Sequence, residues 1–201
     1  MFNPQDRKTN HTARVGMALF RMTQAVKKIT QKDSDALGLS PVQVQALLYM
    51  YHTRSDVATI GNLAAAIGAT HVTAVKLING LIDKGLAVKQ SSPDDRRVTL
   101  LQLTSEGAAA VEQLDEWGTA LEEAVQNIPE ELMDSFELGL GAVLEALQKQ
   151  QVLIVAEPCM GCIHFRPDEG TGELQHYCAM IQKFLSREAT LKECPEHTPS
   201  V

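Results

Sequence analysis

The hydrophobic positions near the start of the chain repeat with helical spacing. Five apolar residues recur at steps of four and three: Val15, Leu19, Met22, Val26 and Ile29. This spacing predicts a helix over about residues 12–37 that carries a narrow apolar seam. Such a seam suits contact with another helix, either within the fold or between two chains.

A second helix is predicted after Gly38, a residue that favours the end of the first one. Ser40 is a suitable N-cap, Pro41 occupies the first helical position, and Gln43 completes a capping box. The hydrophobic pattern then carries this helix to about His52.

Two short helices follow, over residues 59–67 and 71–84, with Thr70 as the cap of the second, and a glycine comes after each of them. Two short helices joined through a glycine turn are typical of a helix-turn-helix. The residues expected to point inward are Leu63, Ile67, Val75, Ile78 and Ile82. The residues expected to point outward are His71, Thr73, Lys76 and Asn79.

Beyond Gly85 the apolar residues alternate with polar ones. Residues 86–91 and 98–103 do so on both sides of a turn rich in proline and aspartate, which predicts a β-hairpin. Arg96 and Arg97 lie at its tip. A helix-turn-helix followed by a hairpin with a basic tip is a winged helix, so the expected fold is mainly α with a small β-wing.

Long helices are expected after the hairpin. Thr104 caps the first of them, and its apolar face consists of Val111, Leu114, Trp117 and Leu121. Pro129 interrupts the pattern, and a last helix then runs to about Gln151. Its apolar positions are Leu132, Phe136, Leu140, Val143 and Leu147. The chain thus divides into a winged-helix domain with flanking helices, residues 1–150, and a small extension rich in cysteine, residues 151–201.

The charge is distributed unevenly along the chain, so the net charge alone does not describe any one region. The 201 residues carry a formal charge of −7, which by itself disfavours a nucleic-acid partner. Residues 1–100, however, hold 13 Lys and Arg against 7 Asp and Glu, a net charge of +6. Residues 101–155 carry −10 and residues 156–201 carry −3. The basic part coincides with the predicted winged helix, which favours a nucleic-acid-binding face on an acidic scaffold.

The chain shows no pattern typical of secretion or membrane insertion. No apolar stretch follows the first residues, and the longest apolar run, residues 152–156, is far shorter than the roughly 20 residues of a membrane helix. We therefore expect a cytoplasmic protein with no membrane partner. Thiols are kept reduced in that compartment, so the four cysteines are expected to be metal ligands or redox groups.

Residues 35–108 resemble the MarR (multiple-antibiotic-resistance regulator) family of bacterial transcription factors. The stretches that carry the resemblance are residues 39–48, 63–68, 75–86, 93–97 and 103–107. With the flanking helices included, the resemblance covers roughly residues 10–150 and stops before the cysteines. One departure is Ser92, which stands where the family often has aspartate. The resemblance implies a transcriptional regulator, expected to be a repressor, rather than an enzyme.

The resemblance also implies a homodimer, paired through the first and the last two helices, on a DNA operator with two-fold symmetry. The second helix of the motif would enter the major groove, and the wing the flanking minor groove. By position, the DNA-binding residues are Thr70, His71, Thr73, Lys76, Asp95, Arg96 and Arg97. Arginine suits a narrow minor groove, so Arg97 is expected there with Asp95 supporting it. Arg96 is expected on a phosphate or in a salt bridge, and a small-molecule effector is a further candidate partner.

All four cysteines lie in the extension, at Cys159, Cys162, Cys178 and Cys194, with the spacing C-x2-C-x15-C-x15-C. Four thiolates can complete a tetrahedral zinc site, and the same four could hold an iron–sulfur cluster. A segment with so few periodic hydrophobic residues needs another source of order, which favours a metal over four free thiols. Zinc is preferred because four thiolates commonly form closed zinc sites.

Several alternatives stay open for the extension. A nearby histidine could replace one cysteine ligand, and the candidates are His164, His176 and His197. The metal could be structural, or it could sense metal or oxidant by changing the spacing of two winged helices, with oxidation of the Cys159/Cys162 pair as a thiol switch. A catalytic thiol or metal site is disfavoured because four cysteines give a closed site. A third alternative for the function of the extension is a zinc-ribbon-like module that docks another protein.

Overall fold

The structure is a computed structural model that describes residues 1–93, 95–114 and 119–200. The N-terminal elements are α1 (Asp6–Thr9), α2 (His11–Ala36), α3 (Pro41–His52), α4 (Ile60–Ala66) and α5 (His71–Asp83). The hairpin and the following helices are β1 (Ala87–Ser91), β2 (Thr99–Leu103), α6 (Ser105–Glu112), α7 (Thr119–Val125) and α8 (Glu130–Lys149). The last elements are β3 (Phe165–Arg166), β4 (His176–Cys178), β5 (Lys183–Leu185) and α9 (Arg187–Leu191).

The helix starts lie where the capping residues predict them. Ser40 accepts a hydrogen bond from the Gln43 amide, and the Gln43 side chain accepts one in return from the Ser40 amide. Thr70 and Thr104 cap α5 and α6 in the same way, each accepting from the third residue of its helix. These bonds satisfy amides that would otherwise have no partner at a helix start, and so fix the boundaries of the helix-turn-helix.

The hydrophobic core lies between α3, α4, α5 and the hairpin. Its fully buried side chains are Val44, Leu47, Leu63, Ile78, Leu81 and Leu101. The inward face predicted for the helix-turn-helix is therefore right for Leu63 and Ile78, whereas Ile67, Val75 and Ile82 are only half-buried. Ala74 and Leu81 are fully buried instead, because the centre of the α5 face is rotated toward them.

The hairpin forms the predicted wing. β1 and β2 are antiparallel, with Ala87 paired to Leu103 and Ser91 paired to Thr99. The wing is tied to the helix-turn-helix by the amide of Leu101, which donates to the Ala58 carbonyl at 2.7 Å just before α4. The predicted winged helix is confirmed, and we call residues 37–114 the winged-helix core.

The outer helices expose apolar surface. In α2 the predicted seam is only partly covered by this chain: Val15 is 54% and Met22 38% exposed, and the other three seam residues are half-buried. α8 has no buried residue among its 20 positions. The predicted helix from Thr104 corresponds to α6 and α7, and Trp117, placed on its apolar face, lies outside the described residues.

The extension is more ordered than its lack of periodic hydrophobic residues suggests. β3, β4 and β5 form an antiparallel sheet with β4 in the centre, and α9 follows it. Strands of two or three residues are too short to give a periodic signal, so the sequence did not predict this sheet. We call residues 156–200 the thiol tail.

Within the described residues, no single helix has both the length and the apolar character needed to cross a membrane. α4 and α5 pass that test only when they are taken together, and they meet at an angle of 107°. Both contribute fully buried side chains to the winged-helix core, which accounts for their apolar composition.

Candidate nucleic-acid interface and thiol cluster

The outward face of α5 is formed as predicted. His71, Thr73, Lys76 and Asn79 are all exposed. The opposite face of the helix is anchored by Ile78 and Leu81, which are completely buried. A rigid core therefore presents a polar and lightly basic face to the solvent, which is the geometry that a helix needs to enter a DNA groove.

Thr70 is the N-cap of α5. Its hydroxyl oxygen accepts a hydrogen bond from the Thr73 amide at 3.2 Å and lies 2.9 Å from the Thr73 hydroxyl. Both threonines remain exposed. The first turn of α5 thus holds two hydroxyls in a fixed arrangement near the positive end of the helix dipole, where backbone amides favour an anion such as a phosphate.

At the tip of the wing, Arg97 and Asp95 form a two-pronged ion pair. Arg97 Nε donates to Asp95 Oδ1 at 3.0 Å, and Arg97 Nη2 donates to Asp95 Oδ2 at 2.8 Å. These bonds lower the pKa of Asp95. The Arg97 side chain is 91% exposed all the same, so its guanidinium is oriented without being covered. Arg96 beside it is exposed as well.

A contact that the sequence did not predict sets the wing against α5. Lys89 of β1 donates through Nζ to Asn79 Oδ1 of α5 at 2.6 Å. Asn79 was expected only to point outward. The bond joins the side chains of the two elements that would contact DNA, and so helps to fix the distance between them.

The four cysteines line one small cavity in the thiol tail. Cys159, Cys178 and Cys194 are buried, Cys162 is half-buried, and all four are free thiols. Burial raises the pKa of Cys159 and Cys194. No group of three or more His, Cys, Asp and Glu in the described part of the chain stands in a ready metal-binding arrangement. The four cysteines thus share the lining of one cavity.

The structure separates the three histidines that could replace a cysteine. His164 and His197 line the thiol cavity together with the cysteines. His176 is not among the residues that line it. Its ring packs against Phe165 at 5.4 Å between centroids, and its Nδ1 lies 3.3 Å from the Asp168 amide. His176 therefore has a packing role in the sheet.

A buried arginine from the winged-helix core reaches the thiol cavity. Arg54 is 3% exposed and donates through Nη1 to Cys159 Sγ at 3.5 Å. Its Nε also donates to Asp56 Oδ1 at 2.6 Å. Burial lowers the pKa of Arg54, but the hydrogen bond and charge of Asp56 together raise it above its usual value. Sequence reasoning missed Arg54, because one arginine between two helices carries no pattern.

A wide cleft opens between α3, α4 and α6. Its volume is about 600 Å³, and its walls include Tyr49, Tyr51, Ile67, Val111 and Leu114. A cleft of this size with aromatic and aliphatic walls is typical of a site for a small organic molecule. The thiol tail reaches its rim through Glu193.

Comparison with known proteins gives a consistent result for the winged helix. A sequence model of the MarR family matches residues 37–98. The chain is 24% identical over 132 residues to the HTH-type transcriptional repressor YetL of Bacillus subtilis (strain 168), a match that covers 65% of this chain and 79% of the relative.

Solved structures agree with this fold. The MepR–DNA complex of S. aureus is 25% identical to this chain with a TM-score of 0.57, and the match covers 65% of this chain and 97% of that one. The apo form of MarR from E. coli is 21% identical with a TM-score of 0.53, covering 64% and 96%. About a third of this chain lies outside each of these matches.

Proposed function

We propose that this chain is a transcriptional regulator of the MarR type rather than an enzyme, and that it is a repressor which binds DNA as a homodimer on an operator with two-fold symmetry. The observation that carries this proposal is the pairing of two exposed elements on one rigid core. α5 presents a polar face, and the wing beside it holds a guanidinium in a fixed orientation.

The proposed DNA-binding face has two parts, α5 for the major groove and the wing for the minor groove. Thr70, His71, Thr73 and Lys76 at the start of α5, all exposed, would meet bases and phosphates of a major groove. Arg97, oriented by Asp95, would enter the neighbouring minor groove, where a narrow groove attracts its positive charge. Arg96 would meet a phosphate. α5 is only lightly basic, so each half-site would bind weakly and the second copy would supply much of the affinity.

The outer helices support a second copy of this chain as the dimer partner. α8 exposes Leu132, Phe136 and Leu138, and α2 exposes Val15 and Phe20. A single copy would leave this apolar surface in water, and large exposed apolar patches mark interaction sites. Pairing of two copies through these helices would cover it and set the two α5 helices at a fixed distance.

The cleft between α3, α4 and α6 supports a small-molecule effector as a further partner. An apolar effector in this cleft would lie within the winged-helix core, between α3, α4 and α6, with Glu193 of the thiol tail at its rim. The dimer would have one conformation in which the spacing of its two winged helices fits DNA and another in which it does not. An effector that binds the second conformation better would shift the population toward it and weaken DNA binding.

A selection from random DNA duplexes tests the proposal, since the operator sequence is not needed in advance. We expect the enriched duplexes to contain two inverted half-sites about 10 base pairs apart, centre to centre, and to bind two chains each. Enrichment of asymmetric sites, or one chain per duplex, would contradict the dimer.

Variants then test the residues. Arg97→Ala should weaken binding of the selected duplex and reduce the dependence of affinity on salt, whereas Lys149→Ala on α8 should bind like wild type. Phe136→Asp should give monomers in sedimentation and lose most of the affinity. Ser135→Asp, next to it on the helix, is the matched control for the added charge.

A further inference from the structure

The thiol tail is held together by very little apolar surface. Its buried cluster consists of Cys159, Cys178 and Leu185, with three half-buried residues packed around them. Two of the three buried members are thus cysteines. Small domains without an adequate apolar core usually depend on a disulfide or a metal, and all four thiols here are free.

Two similar turns present the cysteines to the cavity. The amide of Cys162 donates to the Cys159 carbonyl at 3.1 Å, and the amide of His197 donates to the Cys194 carbonyl at 3.1 Å. The first turn needs Gly161, whose φ of 79° lies in the left-handed region. Cys178 enters the cavity from the end of the central strand β4. Three separate segments therefore bring thiols to one point.

The donor atoms around the cavity favour a single zinc ion. Its lining includes all four cysteines together with His164 and His197. Four thiolates are the usual ligand set of a closed tetrahedral zinc site.

Arg54 gives the cavity a charge partner from outside the tail. Four thiolates around a divalent cation leave a net charge of about −2, which is costly to bury without compensation. Arg54 supplies a buried positive charge, and its Nη1 already donates to Cys159 Sγ. Such hydrogen bonds to the ligating atoms orient the ligands and tune the affinity for the metal.

The backbone next to Arg54 fastens the tail to the winged-helix core. The Arg54 amide donates to the Glu193 carbonyl at 2.9 Å, and the Glu193 amide donates to the His52 carbonyl at 2.9 Å. Lys192 adds a bond from Nζ to the Tyr51 carbonyl at 2.9 Å. Cys194 follows Glu193 directly, so the residue that pairs with the end of α3 is the neighbour of a thiol in the cavity.

We propose that Cys159, Cys162, Cys178 and Cys194 bind one zinc ion, and that Arg54 is a positioning residue which couples this ion to the end of α3. Zinc then orders the segment at 192–194 that pairs with the winged-helix core. His164 and His197 line the same cavity, but we assign them no ligand role because four thiolates complete a tetrahedral site. The proposal goes beyond the repressor function and does not depend on it.

Metal analysis and cobalt substitution of the full chain test the site. We expect one zinc per chain in colourless protein, and Co²⁺ added to the apo protein should give the intense visible bands of a tetrahedral thiolate site. Cys178→Ser and Cys194→Ser should lose the metal, while His197→Gln should keep it. A brown protein containing iron and sulfide, an absence of bound metal, or loss of zinc from His197→Gln would each overturn the assignment.

A competition with a chelator tests the role of Arg54. Arg54→Gln should bind zinc with the same stoichiometry but about 10- to 100-fold more weakly. Arg54→Lys keeps the charge and should lose less, and Arg187→Gln on exposed α9 is the control for removing an arginine from the region. Unchanged zinc affinity in Arg54→Gln would overturn the coupling.

If the Arg54 variants fail to fold, the wild-type chain itself tests the coupling. Hydrogen exchange on the wild-type chain, with and without chelator, follows the amides of Arg54 and Glu193 directly. Faster exchange after zinc removal supports the coupling, and unchanged exchange overturns it. DNA binding is measured separately on the same samples, so failure of the repressor function and failure of the zinc site are distinguished.

Discussion

The winged-helix core and the thiol tail reach order by different means. The core buries six large side chains almost completely, between helices whose boundaries are fixed by caps. The buried cluster of the tail has three members, two of them cysteines, and the tail uses strands of two or three residues. An apolar core is stable by itself, whereas the thiol tail, under our proposal, depends on a bound zinc ion and on Arg54. Destabilisation should therefore have different consequences in the two regions.

The largest effect is expected in the core. Ile78→Ala removes a completely buried side chain at the centre of α5 and should lower the free energy of unfolding by about 2–5 kcal/mol. Urea unfolding followed by circular dichroism measures this loss. Val72→Ala on the same helix, where the side chain is 63% exposed, is the control and should cost little. Similar losses in both variants would contradict the placement of the α5 core face.

An intermediate effect is expected at the junction of the two regions. Asp56→Asn removes the charge that partners the buried guanidinium of Arg54 and should lower the free energy of unfolding by about 1–3 kcal/mol. The same urea titration measures it, with Asp134→Asn on exposed α8 as the control. A variant as stable as wild type would show that Arg54 does not need Asp56 in its buried position.

The smallest effect is expected inside the tail. Ser186→Ala removes the cap of α9, where the side chain accepts from the Ala189 amide at 3.1 Å, and should cost about 1 kcal/mol locally. Hydrogen exchange should detect faster opening of residues 187–191 with no change at α5. Thr104→Ala, which removes a cap inside the core, should instead lower global stability. A loss of global stability in Ser186→Ala would contradict the separate stability of the tail and the core.

The winged-helix core could be predicted because its signals are local. Ser40 and Thr70 cap helices within three residues of themselves, and Gly85 ends α5 with a positive φ of 73°. The family resemblance then assigned roles to positions within this frame. The burial of Ala74 in place of Val75 was not predicted, because neighbouring positions on a short helix differ by only 100° in direction.

The architecture of the tail could not be predicted in the same way. The cysteine spacing indicated a metal site, but the pairing of His52 and Arg54 with Glu193 joins residues about 140 positions apart. Backbone hydrogen bonds of this kind depend on the folded position of both segments and leave no periodic trace. Arg54 illustrates the difficulty, since its contact with Cys159 depends on a partner that comes 105 residues later in the sequence.

The distance along the chain between Arg54 and Cys159, 105 residues, has a consequence for the order of events during synthesis. At about 5–20 residues per second, the ribosome releases α3 to α6 several seconds before the cysteines that Arg54 contacts. During that interval Arg54 remains in water, where its charge costs nothing, and the local contacts of the winged helix can already form. The contacts between the thiol tail and the end of α3 therefore form in a late step, after the tail has been synthesised.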